Sequence, residues 1–392
     1  MTEGRPERSE LSAAQRAALR NVEERARLGQ TEAVERLTTL CREAGLTPEV
    51  LEEAMESVRL HARVAVHFHP DRFGFEPISV AESLLRDGCY RNQFETGSSS
   101  GSRTAFASGE RDRWENVLFG GAYHGSSVLA EERPKYGALA LIHHPDGPSP
   151  RFGSCYFVLH ASVSGRTSLT FSGSEQELAP KRAGTIDAME CVMAALLSEV
   201  ANGGRAAVPW PPFVVPTLGV ENLTVFRLLG YLCRELPGPS PDPSTGEAGR
   251  VLDSCIEAQV HGRIDLERDV ESLVIDPAFE GTPTGQVLDE ICRRYSIRKA
   301  LHGGFELSAQ AVPDDFRGPE MPRLARRIAG EGMLNAAVIG AAEATLYSRP
   351  ESWLDWGSPE ETRQHLKQLW HVLVQHGTWR PRHWSLGGRI EG

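Results

Sequence analysis

The chain has 392 residues, 40% of them hydrophobic and 24% charged, and a formal net charge of -11. This length predicts one large domain or two modest ones, and the acidic balance argues against nucleic acid as the main partner. No apolar stretch is long enough to span a bilayer, so we expect no contact with a membrane.

The cysteines and the N-terminus indicate the compartment. Seven cysteines are scattered along the chain without a CxxC pair, which is typical of reduced thiols rather than of a zinc or redox motif. The charged N-terminus leads into no apolar run, so we expect no signal peptide. The sequence therefore predicts a cytoplasmic protein, although export by a dedicated secretion machine needs neither mark.

Residues 1–60 are predicted to form an N-terminal helical cap. Apolar positions recur every three or four residues in Ala13–Leu28 and again in Thr31–Arg42, which predicts two helices. Thr47 and Pro48 resemble an N-cap and a first helical position, so a third helix is expected to run toward Leu60.

Residues 61–330 are predicted to form the catalytic core. Alternating and β-branched segments predict strands over 63–68, 137–142, 154–160, 168–171, 255–261 and 270–275. Helices are expected over 186–200 and 223–236, and the Pro-, Gly- and Ser-rich stretch 237–249 is expected to be a loop. A second loop, 97–102, is rich in Gly and Ser but lacks the ending of a P-loop. The segment Trp114–Tyr123 is interpreted as a structural helix end with a glycine stop.

Residues 331–392 are predicted to form a helical, Trp-rich C-terminal segment. Helical spacing is present over 286–295, 321–329, 334–347 and 359–375. Five of the seven tryptophans lie near this end, where such residues usually attach a terminal segment to the body of a protein. The order helical, β-rich, helical predicts an α+β fold with helical flanks.

The strand Cys255–Gly262 holds the strongest candidate for chemistry. Alternate residues of a strand share a face, so Glu257, Gln259 and His261 are expected to project together, opposite Ile256 and Val260. A polar row on an otherwise apolar strand is unfavourable unless it faces a cleft or solvent. Either reading is compatible with this strand taken alone.

Two other segments carry polar groups suited to ligand binding. Arg133 precedes Pro134, which keeps its backbone extended, and an arginine held in this way suits a bidentate grip on phosphate or carboxylate. Further along, Ser168, Thr170 and Ser172 alternate along a strand, so their hydroxyls point the same way. An ordinary surface turn and a Thr-rich edge strand are the alternatives.

His67 and His69 form a His-x-His pair at the end of a predicted strand. Both rings share a face and are able to meet one metal ion, as in metal-dependent hydrolases. The pair supplies only two ligands, and no motif ties a third residue to it. A hydrolase is therefore an alternative function, and we assign no metal site.

Together these segments resemble the ADP-ribosyltransferase superfamily, whose members carry an Arg–Ser–Glu plan on a split β-sheet. The resemblance is to domains of phage head-associated proteins and bacterial toxins with Arg-Pro-x-Tyr-Gly, a hydroxyl-rich strand and Glu-Ala-Gln-x-His-Gly. The matching segments here are Arg133–Gly137, Arg166–Ser174 and Glu257–Gly262. The chain also resembles a bacterial domain family with the signature His-Phe-His-Pro-Asp-Arg, present as His67–Arg72. The resemblance covers roughly residues 60–330.

The resemblance implies a fold, a reaction and a set of site residues. The fold would be a split-sheet ADP-ribosyltransferase core, and the reaction the transfer of ADP-ribose from NAD to a macromolecular acceptor, a protein, with release of nicotinamide. Glu257 would be the catalytic carboxylate, assisted by Gln259. The NAD-binding residues would be Arg133, Tyr136, Ser168, Thr170, Ser172, His69, Arg72 and His261.

One departure from the pattern concerns the acceptor. Many arginine-modifying members carry Glu-x-Glu on the catalytic strand. This chain has Glu257-Ala258-Gln259 there, or Cys255-Ile256-Glu257 if Glu257 is the second member of the motif. Arginine is therefore not indicated as the acceptor. Besides the hydrolase, a non-catalytic partner-binding domain with the same fold is a further alternative.

Overall fold

A large central β-sheet with helices packed around it organises residues 10–97, 104–209 and 212–380, which a computed structural model describes. The strands in these residues are β1 (Arg63–Phe68), β2 (Cys89–Tyr90), β3 (Lys135–Ala140), β4 (Cys155–Leu159), β5 (Thr167–Phe171), β6 (Ala183–Thr185), β7 (Arg205–Pro209), β8 (Pro212–Pro216), β9 (Ile256–Val260), β10 (Ile264–Asp265), β11 (Val270–Ile275), β12 (Arg298–Leu301), β13 (Phe305–Ser308), β14 (Met333–Leu334) and β15 (Thr378–Trp379).

The central sheet has eight strands in the order β12-β11-β4-β1-β3-β9-β5-β6. All neighbouring strands run antiparallel except β11 and β12, which are parallel. Smaller sheets pair β10 with β2, β7 with β8, and β13 with both β14 and β15. The predicted strands at 63–68, 168–171, 255–261 and 270–275 are confirmed to within about one residue, and those at 137–142 and 154–160 to within about two.

Helices flank the sheet, so the fold combines helices and strands. The prediction of a mixed fold with flanking helices is confirmed in this general form. The helices are α1 (Ala13–Glu43), α2 (Pro48–His61), α3 (Val80–Asp87), α4 (Gln93–Thr96), α5 (Glu110–Leu118), α6 (Glu190–Ala201), α7 (Val225–Arg234), α8 (Leu266–Asp269), α9 (Pro283–Arg294), α10 (Met321–Ala329), α11 (Ala336–Ser348) and α12 (Pro359–His376). The stretch 237–249 contains no helix or strand, as predicted.

The prediction of two helices within residues 13–42 is wrong, because α1 continues without a break through Gly29 and Gln30. A Cβ added at Gly29 would lie 3.0 Å from the Cys191 sulfur of α6. Gly29 therefore permits a close approach of α1 to α6. In the sequence, a glycine needed for packing looks the same as one that ends a helix.

The two faces of the central sheet differ in character. One face carries Val66, Phe157, Leu169 and Ile256, which are at most 2% exposed and pack in the main hydrophobic cluster with side chains of α1, α2, α6 and α7. The other face carries the polar side chains of β3, β5 and β9. The polar side chains of these three strands therefore lie on one side of the sheet.

The predicted N-terminal cap (1–60), core (61–330) and C-terminal segment (331–392) all contribute to the same hydrophobic cluster. It includes Leu37 of α1, Val58 of α2 and Leu366 of α12 together with the core strands. The N-terminal helices and the C-terminal helices are thus packed on the core rather than set apart from it.

The C-terminal tryptophans attach this end of the chain to the body, as predicted. Trp353, Trp356, Trp370 and Trp379 are all buried. The Trp370 indole N–H donates to the Pro150 carbonyl at 2.8 Å, and that of Trp379 donates to the Gly246 carbonyl at 2.8 Å. Trp384 lies outside the described residues.

Two further expectations concern the thiols and the membrane. All seven cysteines are free, which confirms the prediction of unpaired thiols. In the part of the chain that the structure describes, none of the helices combines the length and the apolar character that crossing a bilayer requires.

Candidate active site

A row of polar side chains lies on one face of β9 and its two neighbours. Glu257 pairs with Ala138 of β3 and Thr170 of β5, and Gln259 pairs with Tyr136 and Ser168. Paired residues in antiparallel strands share a face, so these side chains project together. The predicted alternation along β9 is confirmed.

Hydrogen bonds join this row into one chain. The Ser168 hydroxyl donates to Gln259 Oε1 at 2.9 Å, and Gln259 Nε2 donates to Glu257 Oε1 at 3.0 Å. Since its only proton is used in this way, Ser168 accepts from His261 Nε2 at 3.0 Å, and His261 Nδ1 then accepts from the Tyr123 hydroxyl at 2.6 Å. Every donor thus points toward Glu257. Such alignment polarises successive bonds and favours a negative charge at the end of the chain.

Glu257 is the member of this hydrogen-bond chain that lines a cavity. Its side chain is half-buried, and its Oε1 also accepts the Ser174 backbone N–H at 3.2 Å. Burial, followed by the neighbouring charge of Glu175, raises the pKa of the Glu257 carboxyl, while the hydrogen bonds and Arg111 oppose this. The result is a carboxylate that is both fixed in place and destabilised as an anion.

The cavity that Glu257 lines has a volume of about 170 Å³. Four of the residues predicted for the site line it, namely His69, Arg72, Tyr136 and Glu257. The structure therefore brings together residues that are far apart in the sequence, from the end of β1, from β3 and from β9.

The remaining predicted residues do not line this cavity. Gln259, His261, Ser168 and Thr170 are fully buried behind Glu257 and form or support the hydrogen-bond chain, with Gln259 Nε2 also donating to Thr170 Oγ1 at 3.0 Å. Ser172, just beyond β5, has a positive φ of 69° and accepts from Gln176 Nε2 at 2.7 Å.

Arg133 is occupied by other parts of the protein. Its guanidinium pairs with Asp112 at 2.5 Å and with Glu115 at 2.9 Å, and it lies 4.2 Å from the ring centre of Phe94. Only 11% of its side chain is exposed. Arg133 thus orders α5 against the sheet and does not reach the cavity.

Arg111 of α5 is a cavity-lining arginine that the sequence analysis missed. Its guanidinium lies 4.5 Å from the ring centre of Tyr136, whose hydroxyl donates to Glu115 at 2.8 Å. Among the described residues, Arg111 Nε and Nη1 have no hydrogen-bond partner although both atoms are buried. Burial would lower the pKa of this guanidinium, but Tyr136, Glu257 and Glu115 raise it. Arg111 is thus a permanent cation near Glu257, and its Nε and Nη1 groups are able to donate hydrogen bonds to a ligand.

The His-x-His pair does not form a metal centre with a third ligand. His67 is engaged at both ring nitrogens, Nδ1 with the Gly153 carbonyl at 3.1 Å and Nε2 with the Ser149 backbone N–H at 3.4 Å. Burial lowers the pKa of His67 to about 3, so this ring is neutral. In the described ranges no three His, Cys, Asp or Glu side chains are placed to hold one ion.

Two further features complete the surroundings. The Gly/Ser-rich loop begins at Gly97, against the Phe75 ring, but residues 98–102 lie outside the described residues. A second cavity of about 370 Å³ is lined by Tyr156, His143, His144 and the prolines of the 237–243 stretch. None of the predicted site residues lines that second cavity.

Comparison with known proteins places the chain in a family. A family model with the description "Protein of unknown function (DUF3626)" matches residues 63–376. The chain belongs to the DUF3626 family. No curated protein matches it. The DUF3626 match begins at β1 and ends with α12, so it includes every residue of the cavity described above and leaves out α1 and α2.

Proposed function

We propose that the chain is an NAD-dependent ADP-ribosyltransferase with Glu257 as the catalytic carboxylate. The observation that carries the proposal is the half-buried Glu257 carboxylate, held by Gln259 and the Ser174 N–H, in a cavity shared with Tyr136 and Arg111. A carboxylate with a perturbed pKa beside an aromatic ring and a cation is a frequent arrangement in active sites.

The proposed reaction requires these groups in defined roles. The bond between nicotinamide N1 and ribose C1′ breaks, and nicotinamide leaves as a neutral molecule with the bonding electron pair. Glu257 accepts a hydrogen bond from a ribose hydroxyl and stabilises the oxocarbenium-like centre. A nucleophile of the acceptor then bonds to C1′ and releases its proton to water.

The neighbouring residues support the binding of one end of NAD. Arg111 already covers one face of the Tyr136 ring, so nicotinamide would stack on the other face. The cavity volume of about 170 Å³ is below the 300–1,000 Å³ of sites that enclose a whole ligand of this kind. We infer that nicotinamide and its ribose enter the cavity and that the adenosine end remains outside.

The fold and the acceptor are part of the same proposal. The strands that carry Tyr136, Glu257 and Ser168 are direct neighbours, in the order β3-β9-β5. We propose that this region corresponds to the split-sheet core of ADP-ribosyltransferases. The acceptor is proposed to be a protein.

The test compares the wild type with Glu257→Gln in NAD cleavage and in transfer of labelled ADP-ribose to proteins of a lysate. Loss of the carboxylate charge should reduce kcat on the order of 10²–10³-fold while NAD still binds. Glu271→Gln is a matched control. Glu271 lies on β11, does not line the cavity of Glu257, and forms an ion pair with Arg298 in which nitrogen and oxygen are 3.3 Å apart.

Two results would contradict the proposal. A folded wild type that neither cleaves nor transfers NAD removes the assigned reaction. Activity that persists at the wild-type rate in Glu257→Gln removes the role of Glu257, and so does an equal loss of activity in Glu257→Gln and Glu271→Gln.

A further inference from the structure

The second cavity, of about 370 Å³, lies on the same face of the central sheet as the cavity of Glu257. Ala138 of β3 pairs with both Glu257 and Ala65, and Ala65 lines the second cavity. Among the described residues the two cavities share no lining side chain. His67 lines the cavity of Glu257 and stacks on Tyr156 of the second cavity, with 4.8 Å between ring centres. One pair of stacked rings thus separates two distinct spaces.

Small apolar side chains of the sheet form the floor of the second cavity. Ala65 of β1, Ala140 of β3, Val274 of β11 and Ala300 of β12 all line it. Ala65 and Val274 are only 2% exposed. Side chains of this size leave a shallow, even surface on a sheet, and the volume falls within the roughly 300–1,000 Å³ of sites that enclose small ligands. The floor therefore suits a flat apolar body.

One wall of the second cavity is rich in proline. Four prolines come from the stretch 237–243 and two from the segment that follows β3, namely Pro145, Pro148, Pro237, Pro239, Pro241 and Pro243. Proline has no backbone N–H, so a ligand that covers these residues leaves no donor of theirs unsatisfied. The fixed φ of proline also limits the ways in which such a loop is able to collapse into the space. This wall suits an apolar ligand and keeps the cavity open.

Two arginines that share one carboxylate lie at the edge of the second cavity. Arg63 Nε is 3.9 Å from Glu271 Oε2, and Arg298 Nη2 is 3.3 Å from Glu271 Oε1. The pairing of β11 with β4 shifts between Val270 and Ser272, and this bulge lets Glu271 and Ser272 both line the cavity although they are adjacent. Two cations and one anion leave positive charge in excess at this edge.

The two arginines differ in how firmly they are held. The side chain of Arg63 is 31% exposed, and its Nη1 donates to the carbonyls of Leu60 and His61 at 3.1 and 3.0 Å. The side chain of Arg298 is 66% exposed. Arg63 thus supplies a fixed charge, and Arg298 is able to turn toward a ligand.

We propose that the second cavity binds a small apolar molecule that carries a carboxylate. The apolar body lies on the alanine floor beside the proline wall, and the carboxylate pairs with Arg63 and Arg298. A planar guanidinium matches the two oxygens of a carboxylate, which also balances the excess charge. Glu271 is then a competitor of the ligand for the same arginines. The site does not depend on the proposed transferase activity.

The experiment measures binding of 2-naphthoate, a flat aromatic carboxylate, to the full chain by calorimetry at constant ionic strength. Neutral 2-naphthamide has nearly the same shape and is the matched probe. The wild type should bind the carboxylate about fivefold more tightly than the amide, the effect of an ion pair at a partly exposed position.

Substitutions at the edge test the charges. Arg298→Gln should remove most of the preference for the carboxylate. Lys299→Gln is the matched control, because Lys299 is the next residue of β12, pairs with Asp289 and does not line the cavity, so the preference should persist. Glu271→Gln should bind the carboxylate more tightly than the wild type, since a competing anion is gone.

Filling the cavity tests the location of the ligand. Ala300 is half-buried on the edge strand β12, so Ala300→Leu extends into the cavity and should abolish binding of both probes. Thermal melting shows whether this variant is folded, and if it is not, the exposed Arg298→Gln decides the outcome.

Three results would overturn the proposal. They are a wild type that does not bind 2-naphthoate, binding that a folded Ala300→Leu protein retains in full, and a preference for the carboxylate that is equal in the wild type and Arg298→Gln. Binding of 2-naphthoate that depends on Ala300 and Arg298, without any NAD cleavage, would sustain this proposal and contradict only the transferase activity.

Discussion

Gln259 connects Glu257 to the rest of the buried hydrogen-bond chain, and its amide fixes the direction of that chain. Its Oε1 receives the Ser168 proton, and its Nε2 donates to both Glu257 and Thr170. In the proposed reaction Gln259 would therefore be a positioning residue, since it would act through Glu257 and does not line the cavity.

Replacing Gln259 with an acid of the same size tests this role. In Gln259→Glu the donor to Glu257 is lost and a second carboxyl takes its place, which raises the pKa of Glu257. We expect the acid limb of the pH profile of NAD cleavage to move to higher pH, with a lower plateau. A profile that keeps its acid limb while the protein merely loses stability would show that Gln259 serves packing alone.

The buried carboxyl of Asp276 leads to a prediction for the pH dependence of the free energy of unfolding. This prediction is independent of the proposed function. This carboxyl, just beyond the end of β11, is 1% exposed, and its Oδ1 accepts the Ala278 N–H at 2.9 Å. Its Oδ2 has no hydrogen-bond partner among the described residues and lies 3.9 Å from His302 Nε2. Burial raises the pKa of Asp276 from 3.8 to about 7. The folded state therefore binds a proton more tightly than the unfolded chain, so stability falls as pH rises from about 4 to about 7.

Removal of this charge should reverse that loss. The difference in unfolding free energy between Asp276→Asn and the wild type should grow in favour of the variant by roughly 2–3 kcal/mol when the pH is raised from 5 to 8. Urea unfolding at the two pH values measures the gain. The exposed Asp289→Asn serves as the control, and an equal difference between Asp276→Asn and the wild type at both pH values would contradict the prediction.

At the scale of elements, α5 differs most from its sequence interpretation. The helix and its end were predicted, but its role was thought to be structural only. Its polar residues Arg111 and Glu115 are one turn apart and reach Tyr136 from above the sheet. The spacing of this charged pair beside Trp114 was visible in the sequence, whereas its contact with β3 depends on long-range packing that spacing does not reveal.

The position of Arg111 leads to a prediction for that helix. Arg111→Gln removes a cation that lowers the pKa of Glu257, so the acid limb of NAD cleavage should move to higher pH. The KM for NAD should rise about tenfold, as expected for one charged contact. Arg113→Gln changes an exposed arginine of the same helix and should leave both quantities unchanged. If the two variants behave alike, Arg111 has no specific role.

The same scale shows what the sequence was able to predict. Alternation located β1, β5, β9 and β11, because successive residues of a strand point to opposite faces of the sheet. It also gave the orientation of Glu257. The exclusion of Arg133 from the cavity was not predictable, because it follows from the ion pairs with Asp112 and Glu115 that form only when α5 packs on the sheet.

At the scale of the whole molecule, the order of the strands was beyond the sequence. Neighbours such as β1 and β4, or β9 and β5, are separated by tens of residues and by intervening helices, and no local pattern specifies such pairings.

The alternation along β9 has a consequence for how such a protein changes over time. Ile256, Ala258 and Val260 hold the sheet to its helices, while Glu257 and Gln259 serve the opposite side. Successive positions of one short strand thus meet separate structural requirements. If Glu257 carries the proposed reaction, a substitution at 257 would alter or abolish that reaction while the apolar face of β9 still held the scaffold together, so one framework would accommodate active and inactive forms alike.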